Sequence, residues 1–186
     1  NVIINKIYIE MFKISLMKKE LICIDLDNTL INSERAHVLA YNAALEKNGF
    51  SPRPFSEMVH LLGMPNRELV KILTNTDDLQ LIEKVHQDHY TFLIRDYAHY
   101  ARVFPGVRST LKKLKKKYIL AILSNTSHNS ILALLHGSKL DRSFFDIFIG
   151  NDDVRQSKPS PDEIFKAEKI SKRKALFIIG DSPYDI

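Results

Sequence analysis

Apolar residues along this chain fall into two alternating patterns, short unbroken runs and longer stretches with helical spacing. Residues 21–26, LICIDL, form a short apolar run that ends in acids and predict a parallel strand buried on both faces. Ser33 then stands as an N-cap ahead of Ala36, Ala40, Ala43 and Ala44 on neighbouring turns, and Gly49 closes that helix. Pro52 and Pro54 break the chain. Ser56 can cap a short segment 57–62 ended by Gly63, and Asn66 can cap Arg67–Thr74. Leu79, Ile82, Val85, His89 and Leu93 then recur at helical spacing up to Tyr97. Residues 33–98 therefore read as all-helical.

The pattern changes after Pro105-Gly106. Val107, Leu111 and Leu114 mark an amphipathic helix with its lysines outward, and Tyr118–Ser124, YILAILS, is a second buried strand. Ile131, Leu134 and Leu135 lie on a helix ending near Gly137, and Phe144–Gly150 is a third strand. Ile164, Phe165, Ala167 and Ile170 give another helix, followed by a fourth strand, Ala175–Asp181, ALFIIGD. Strands alternating with helices predict an α/β fold, a doubly wound parallel sheet with the helical block inserted after its first strand.

Composition narrows this picture. The 186 residues fit one domain, or one core with a modest insertion, and 45% apolar with 26% charged residues suits a chain that buries a core. No apolar run approaches the roughly 20 residues of a membrane span. The sole cysteine, Cys23, excludes an internal disulfide, and its place in the first strand predicts an inert thiol. Residues 1–18 mix apolar residues with lysines and Glu10 and carry no signal-peptide core, so they read as an extension, with Met11 or Met17 as alternative starts. A cytoplasmic location is the default expectation. The net charge of +5 sits largely in lysine runs at 112–117 and 172–174. No aromatic residues interleave with them, so they read as solvated faces rather than a nucleic-acid surface.

The chemistry lies at the strand ends. Asp25 and Asp27 follow the first strand, Ser124, Asn125 and Thr126 the second, and Asp181, Ser182 and Asp185 the fourth. In open parallel sheets ligands bind at the carboxyl ends of strands, so these residues converge on one crevice. Lys158, in a loop tightened by Pro159 and Pro161, can reach it. Carboxylates so close together need a cation or shifted pKa values, and oxygen-only ligands select a hard ion, Mg²⁺. Such an ion with a lysine and a hydroxyl suits a phosphoryl group. One Asp can then attack phosphorus, and a second can protonate the leaving oxygen and later activate water.

Asp25-Leu-Asp27-Asn28-Thr29-Leu30, Ser124-Asn125-Thr126, Lys158-Pro159 and Gly180-Asp181-Ser182-Pro183-Tyr184-Asp185 resemble the four motifs of the haloacid dehalogenase-like hydrolases. They come in the family's order, with steps of 99, 34 and 23 residues from Asp25 to Ser124, Lys158 and Asp181. The inserted helical block resembles the family's small cap, near the phosphoglycolate phosphatase and β-phosphoglucomutase branch. The resemblance implies a Rossmann-like core at 19–32 and 99–186 and a cap at 33–98. It implies that Asp25 is nucleophile and Mg²⁺ ligand and that Asp27 is general acid/base, its carbonyl also meeting the metal. Ser124 and the Asn125 backbone N–H would hold a phosphoryl oxygen, Lys158 would neutralise charge, and Asp181 and Asp185 would hold Mg²⁺. Asn28 replaces the usual Gly, a mild departure because Asn tolerates left-handed backbone.

The cap offers substrate-binding candidates. Glu34 and His37 match a Glu-x-x-His pattern of sugar-phosphate members and share one helix face, so they could meet a substrate hydroxyl or orient the cap. Arg67, after Gly63, could bind a second anionic group of the substrate. The other histidines show no metal-ligand spacing.

The leading expectation is a Mg²⁺-dependent phosphatase of small phosphorylated metabolites. The alternatives are a phosphomutase, a dehalogenase disfavoured by Asp27, a polynucleotide phosphatase, and a weakly active or non-catalytic fragment. Family members continue past the fourth motif with a helix and a strand, so the C-terminal part of the core is expected to be missing here. Asp185 is then expected on a frayed end, with an unpaired sheet edge beside it.

Overall fold

The computed structural model describes residues 19–185. The reading of residues 1–18 as an extension lies outside the described residues. In chain order the elements begin with strand β1 (Glu20–Ile24), the two-residue strand β2 (Ile31–Asn32) and helix α1 (Glu34–Lys47). Helices α2 (Phe55–Val59), α3 (Asn66–Thr74) and α4 (Leu79–Phe92) follow, and α4 runs into a π-helical turn at Leu93–Tyr97. Strand β3 (Arg102–Val103) returns the chain to helix α5 (Val107–Leu114), strand β4 (Tyr118–Ser124) and helix α6 (His128–Ser138). Strand β5 (Ile147–Gly150), helix α7 (Asp162–Ser171), strand β6 (Ala175–Ile179) and a 3₁₀ turn at Pro183–Asp185 complete it.

The sheet order is β5-β4-β1-β6, all parallel. The register sets Ile22 opposite Leu120 and Ile24 opposite Ile122. The two-residue period of a strand sorts the apolar runs onto two faces. Ile22, Ile24, Leu120 and Ile122 pack with Leu111, Ile131 and Leu134 of α5 and α6. Leu21, Cys23, Ala121 and Leu123 pack on the other face with Ala167 of α7. This is why the runs are apolar at every position rather than at alternate ones. Cys23 is wholly buried, and burial pushes its thiol up to about 12, which keeps it protonated.

The helices α1 to α4 enclose a core of their own, including Tyr41, Leu45, Met58, Leu69, Leu73 and Val85. Helix α1 belongs to both bodies: Ala36 and Ala40 pack into the sheet's core, while Val38, Tyr41 and Ala44 pack into the cap's. Chain exit and return are clasped by the antiparallel β2–β3 pair, Ile31 opposite Val103, which the apolar pattern does not announce.

Local boundaries differ where side chains find better partners. Ser33 precedes α1, but its hydroxyl makes no cap and donates to Asp27 instead. Helix α2 starts after Pro54 with Ser56 inside it, and α3 includes Asn66 after Pro65, so neither Ser56 nor Asn66 serves as a cap. The third strand begins at Ile147, because Arg142–Phe144 takes a 3₁₀ turn. Among the described residues β6 is an outer strand, and Leu176, Phe177, Ile178 and Ile179 are 42–56% exposed. The run ALFII is thus apolar, paired along one edge only and partly exposed on both faces.

Candidate active site

The loop after β1 makes the first half of the site. Asp25 follows the strand, and its backbone N–H donates to the Ile179 carbonyl of β6 at 2.8 Å. The chain then turns sharply: Asn28 takes the left-handed φ of 58°, and its N–H donates to the Ile31 carbonyl at 2.7 Å. Asn fills this position because its side chain tolerates that conformation. The turn aims Asp25 and Asp27 into a cavity of about 100 Å³ between core and cap.

The motif residues converge there, all lining the cavity: Asp25, Asp27, Ser124, Asn125, Lys158, Asp181 and Asp185. Lys158 Nζ donates to Asp25 Oδ1 at 2.6 Å, Asp185 Oδ1 at 2.5 Å and the Leu123 carbonyl at 3.2 Å. All three ammonium hydrogens are therefore used. Burial works against the Lys158 charge, but Asp25 and Asp185 outweigh it and raise its pKa above 10.5. Asp25 is 7% exposed; burial, with the charges of Asp27 and Asp185, lifts its carboxyl to about 7 despite Lys158.

Asp27 is held differently. Its Oδ1 accepts from Ser33 Oγ at 2.5 Å and faces His37 Nε2 at 3.2 Å, and its Oδ2 accepts from Ser124 Oγ at 3.1 Å. Burial pushes this carboxyl up, but the imidazole and the two hydroxyls prevail and hold it below its ordinary 3.8. The two neighbouring acids are thus driven apart, Asp25 up by its burial and Asp27 down by its imidazole and hydroxyl partners.

Asp185 departs from expectation. It is buried rather than frayed: Lys158 donates to its Oδ1, and the Ser182 N–H donates to its Oδ2 at 3.1 Å. Gly180 makes this possible, since a Cβ there would overlap the Asp185 carboxyl group. Asp181 is exposed and accepts from Thr29 Oγ1 at 3.2 Å. Asp25, Asp181 and Asp185 each offer an oxygen within 4.8 Å of the others. This set fits a hard divalent cation, because the ligands it offers are all carboxylate oxygens close enough together to share one ion.

The cap candidates divide. His37 is buried and lines the cavity. Glu34 stays at the margin, its Oε1 accepting from Asn28 Nδ2 at 3.4 Å. Arg67 is a correction: it does not line the cavity, its side chain is 76% exposed, and it pairs with Glu83 of α4 at 3.1 Å. The preceding residue faces the site instead, because adjacent helical residues point about 100° apart. Asn66 Nδ2 donates to the Asn125 carbonyl and to Tyr90 Oη, both at 2.9 Å, and its Oδ1 accepts from Tyr41 Oη at 3.1 Å. Asn151, after β5, donates to Tyr90 Oη at 2.7 Å. Asn66, Tyr90 and Asn151 thus tie cap to core, a role invisible in the spacing. Only the polar residues His89 and Tyr90 on the buried stripe of α4 hinted at it.

Among the described residues no helix is long and apolar enough to cross a membrane. A phosphoglycolate phosphatase of Pseudomonas syringae pv. tomato is 31% identical over 176 residues, covering 90% of this chain and 64% of that protein. A phosphorylated carbohydrates phosphatase of Thermotoga maritima is 30% identical over 151 residues, 77% of this chain and 66% of that protein. The chain thus spans about two thirds of the length of these two relatives. A crystal structure described as a haloacid dehalogenase-like hydrolase from Bacteroides fragilis superposes with a TM-score of 0.79 at 28% identity, over 90% of this chain and 81% of that one. The family model for haloacid dehalogenase-like hydrolases matches residues 22–186, almost the whole described fold and all four motifs, and the chain belongs to that family.

Proposed function

We propose that this chain is a Mg²⁺-dependent phosphatase that hydrolyses small phosphorylated metabolites through an aspartyl-phosphate on Asp25. The convergence of Asp25, Asp27, Ser124, Lys158, Asp181 and Asp185 on one cavity carries the reading. Asp25, Asp181 and Asp185, with the Asp27 backbone carbonyl, would hold the ion, which supplies charge neutralisation for the phosphoryl oxygens and for Asp25.

A phosphate monoester enters with its phosphoryl group between Asp25 and Lys158. Ser124 turns its hydroxyl from Asp27 to a phosphoryl oxygen, beside the Asn125 N–H. The Asp25 carboxylate attacks phosphorus and the ester P–O bond breaks. Asp27, ionised at rest, takes the acidic proton of the bound phosphate monoester monoanion and passes it to the departing oxygen, so the alcohol leaves neutral. Asp27, now a base, takes a proton from water as that water attacks the phospho-Asp25, releasing phosphate and restoring both acids. Asn66, Tyr41, Leu62, Met64 and Leu69 line the cap side, and among the described lining residues Lys158 alone carries an amine or guanidinium charge. This supports an uncharged leaving group, as in a sugar phosphate, over one bearing a carboxylate or a second phosphate.

Phosphate release from sugar phosphates, phosphoglycolate and pyrophosphate with Mg²⁺, beside Asp25→Asn, tests the reading. Release by the wild type, greatest on the sugar phosphates and abolished in the variant, is expected. Equal release by both proteins overturns the mechanism, and a preference for phosphoglycolate or pyrophosphate overturns the substrate class.

A further inference from the structure

A line of polar side chains runs from the cavity into the cap. His37 Nε2 lies 3.2 Å from Asp27 Oδ1, and His37 Nδ1 lies 3.1 Å from His89 Nε2. His89, on α4, is 1% exposed, and its other nitrogen, Nδ1, is buried with no hydrogen-bond partner. The Tyr41 ring lies flat against it, centroids 3.7 Å apart and planes within 8°. The aim of His89 Nε2 is therefore held by packing.

Each neutral imidazole carries one N–H, so two arrangements exist along this line. In the first, His37 Nδ1 donates to His89 Nε2. The His89 hydrogen then sits on Nδ1, a buried N–H without an acceptor, and His37 Nε2 turns a bare lone pair to the Asp27 carboxylate. In the second, His89 Nε2–H donates to His37 Nδ1 and His37 Nε2–H donates to Asp27 Oδ1. Only an unprotonated ring nitrogen is left bare. Folded proteins avoid buried donors without acceptors, so the second holds. Burial also keeps His89 neutral, its pKa well below 6.5.

We infer that His89 sets the tautomer of His37, and that His37 thereby reserves Oδ2 of Asp27 as the oxygen that passes the catalytic proton. Oδ1 accepts from both Ser33 and His37, which fills its two lone pairs, whereas Oδ2 meets Ser124 alone. When Ser124 turns to a phosphoryl oxygen, Oδ2 is free. Oδ2 then takes the acidic proton of the bound phosphate monoester monoanion, gives it to the leaving oxygen as the P–O bond breaks, and takes one back from the attacking water. His89 is not among the cavity-lining residues and acts through His37, so it is a positioning residue. The inference rests on the reading of Asp27 as acid and base.

Two measurements test it. In the chain labelled with ¹⁵N-histidine, long-range proton–nitrogen spectra should show His37 protonated at Nε2 and bare at Nδ1. Protonation at Nδ1 overturns the inference. Phosphate release is then compared for an alkyl phosphate, whose leaving group needs a proton, and p-nitrophenyl phosphate, whose leaving group scarcely does. His89→Phe should lose about tenfold in kcat/KM on the alkyl ester and little on the nitrophenyl ester, since kcat/KM ends with departure of the leaving group and excludes the water attack common to both. His89→Gln, whose amide N–H reaches the place of Nε2, should recover most of the loss. Equal losses on both esters, or no difference between Phe and Gln, refute it. If the Phe variant does not fold, the wild-type spectrum and the Gln variant decide. A wild type that releases phosphate from no ester sinks the phosphatase reading alone, since the spectrum judges the tautomer separately.

Discussion

Among the described residues Glu163 is the one fully buried carboxylic acid that the proposed chemistry does not use, and replacing it with Gln should stabilise the protein in a pH-dependent way. It lies in the first turn of α7, 0% exposed, and neither carboxylate oxygen has a well-formed hydrogen bond. Burial lifts its pKa from 4.5 to about 7; the charge and backbone N–H of Lys158 oppose this, while Asp185 and Asp153 add to it. The folded chain therefore keeps a proton that the unfolded chain releases, and stability falls as pH rises from about 4.5 to about 7. At 1.36 kcal/mol per pH unit the loss is about 3 kcal/mol above neutrality. Gln has the same shape and no proton to lose. Urea unfolding followed by far-UV circular dichroism suits a chain without tryptophan. Glu163→Gln should raise the midpoint by about 1–2 M at pH 8 relative to wild type, with most of that gain absent at pH 4.5. A gain of the same size at both pH values would refute the argument, because then packing and not ionisation sets the difference.

Other outcomes follow from the same geometry. Mg²⁺ should bind more tightly as pH rises through about 7, because the Asp25 proton competes with the cation; calorimetry in buffers of different ionisation heat should detect proton release. Gly180→Ala should weaken Mg²⁺ binding by displacing the Asp185 carboxyl group, read in the same titration. Arg67→Ala should leave phosphate release within about twofold and stability within about 1 kcal/mol, since its pair with Glu83 is exposed. Phe177→Lys should reduce concentration-dependent self-association through the exposed β6 strand, measured by light scattering; no change would show that this strand does not mediate it.

The sheet and the core of the site were legible in the sequence because both rest on local signals. A run such as YILAILS, apolar at every position, suits only a strand buried on both faces, and β4 has those bounds. Polar residues that interrupt such runs fall at strand ends, so Asp25, Ser124 and Asp181 had to gather at one edge of a parallel sheet. The cap was legible as helix but not as chemistry. Its helical periods fixed which residues share a face, and left open how far each helix rotates about its axis.

The fold class, the family motifs and the Asn28 turn depend on residue type and spacing over a few positions, and so could be read without coordinates. Other features come from contacts between distant segments. The rotation of α3 put Asn66 over Asn125 and left Arg67 in solvent. Close approach past Gly180 seats Asp185 on Lys158, although its place past the end of β6 predicts a frayed position. The stacking of Tyr41 on His89 turned a residue of an apolar stripe into a partner of His37. Each of these depends on contacts between segments far apart in the chain, and the energies of such contacts come from distances and burial that no local pattern encodes.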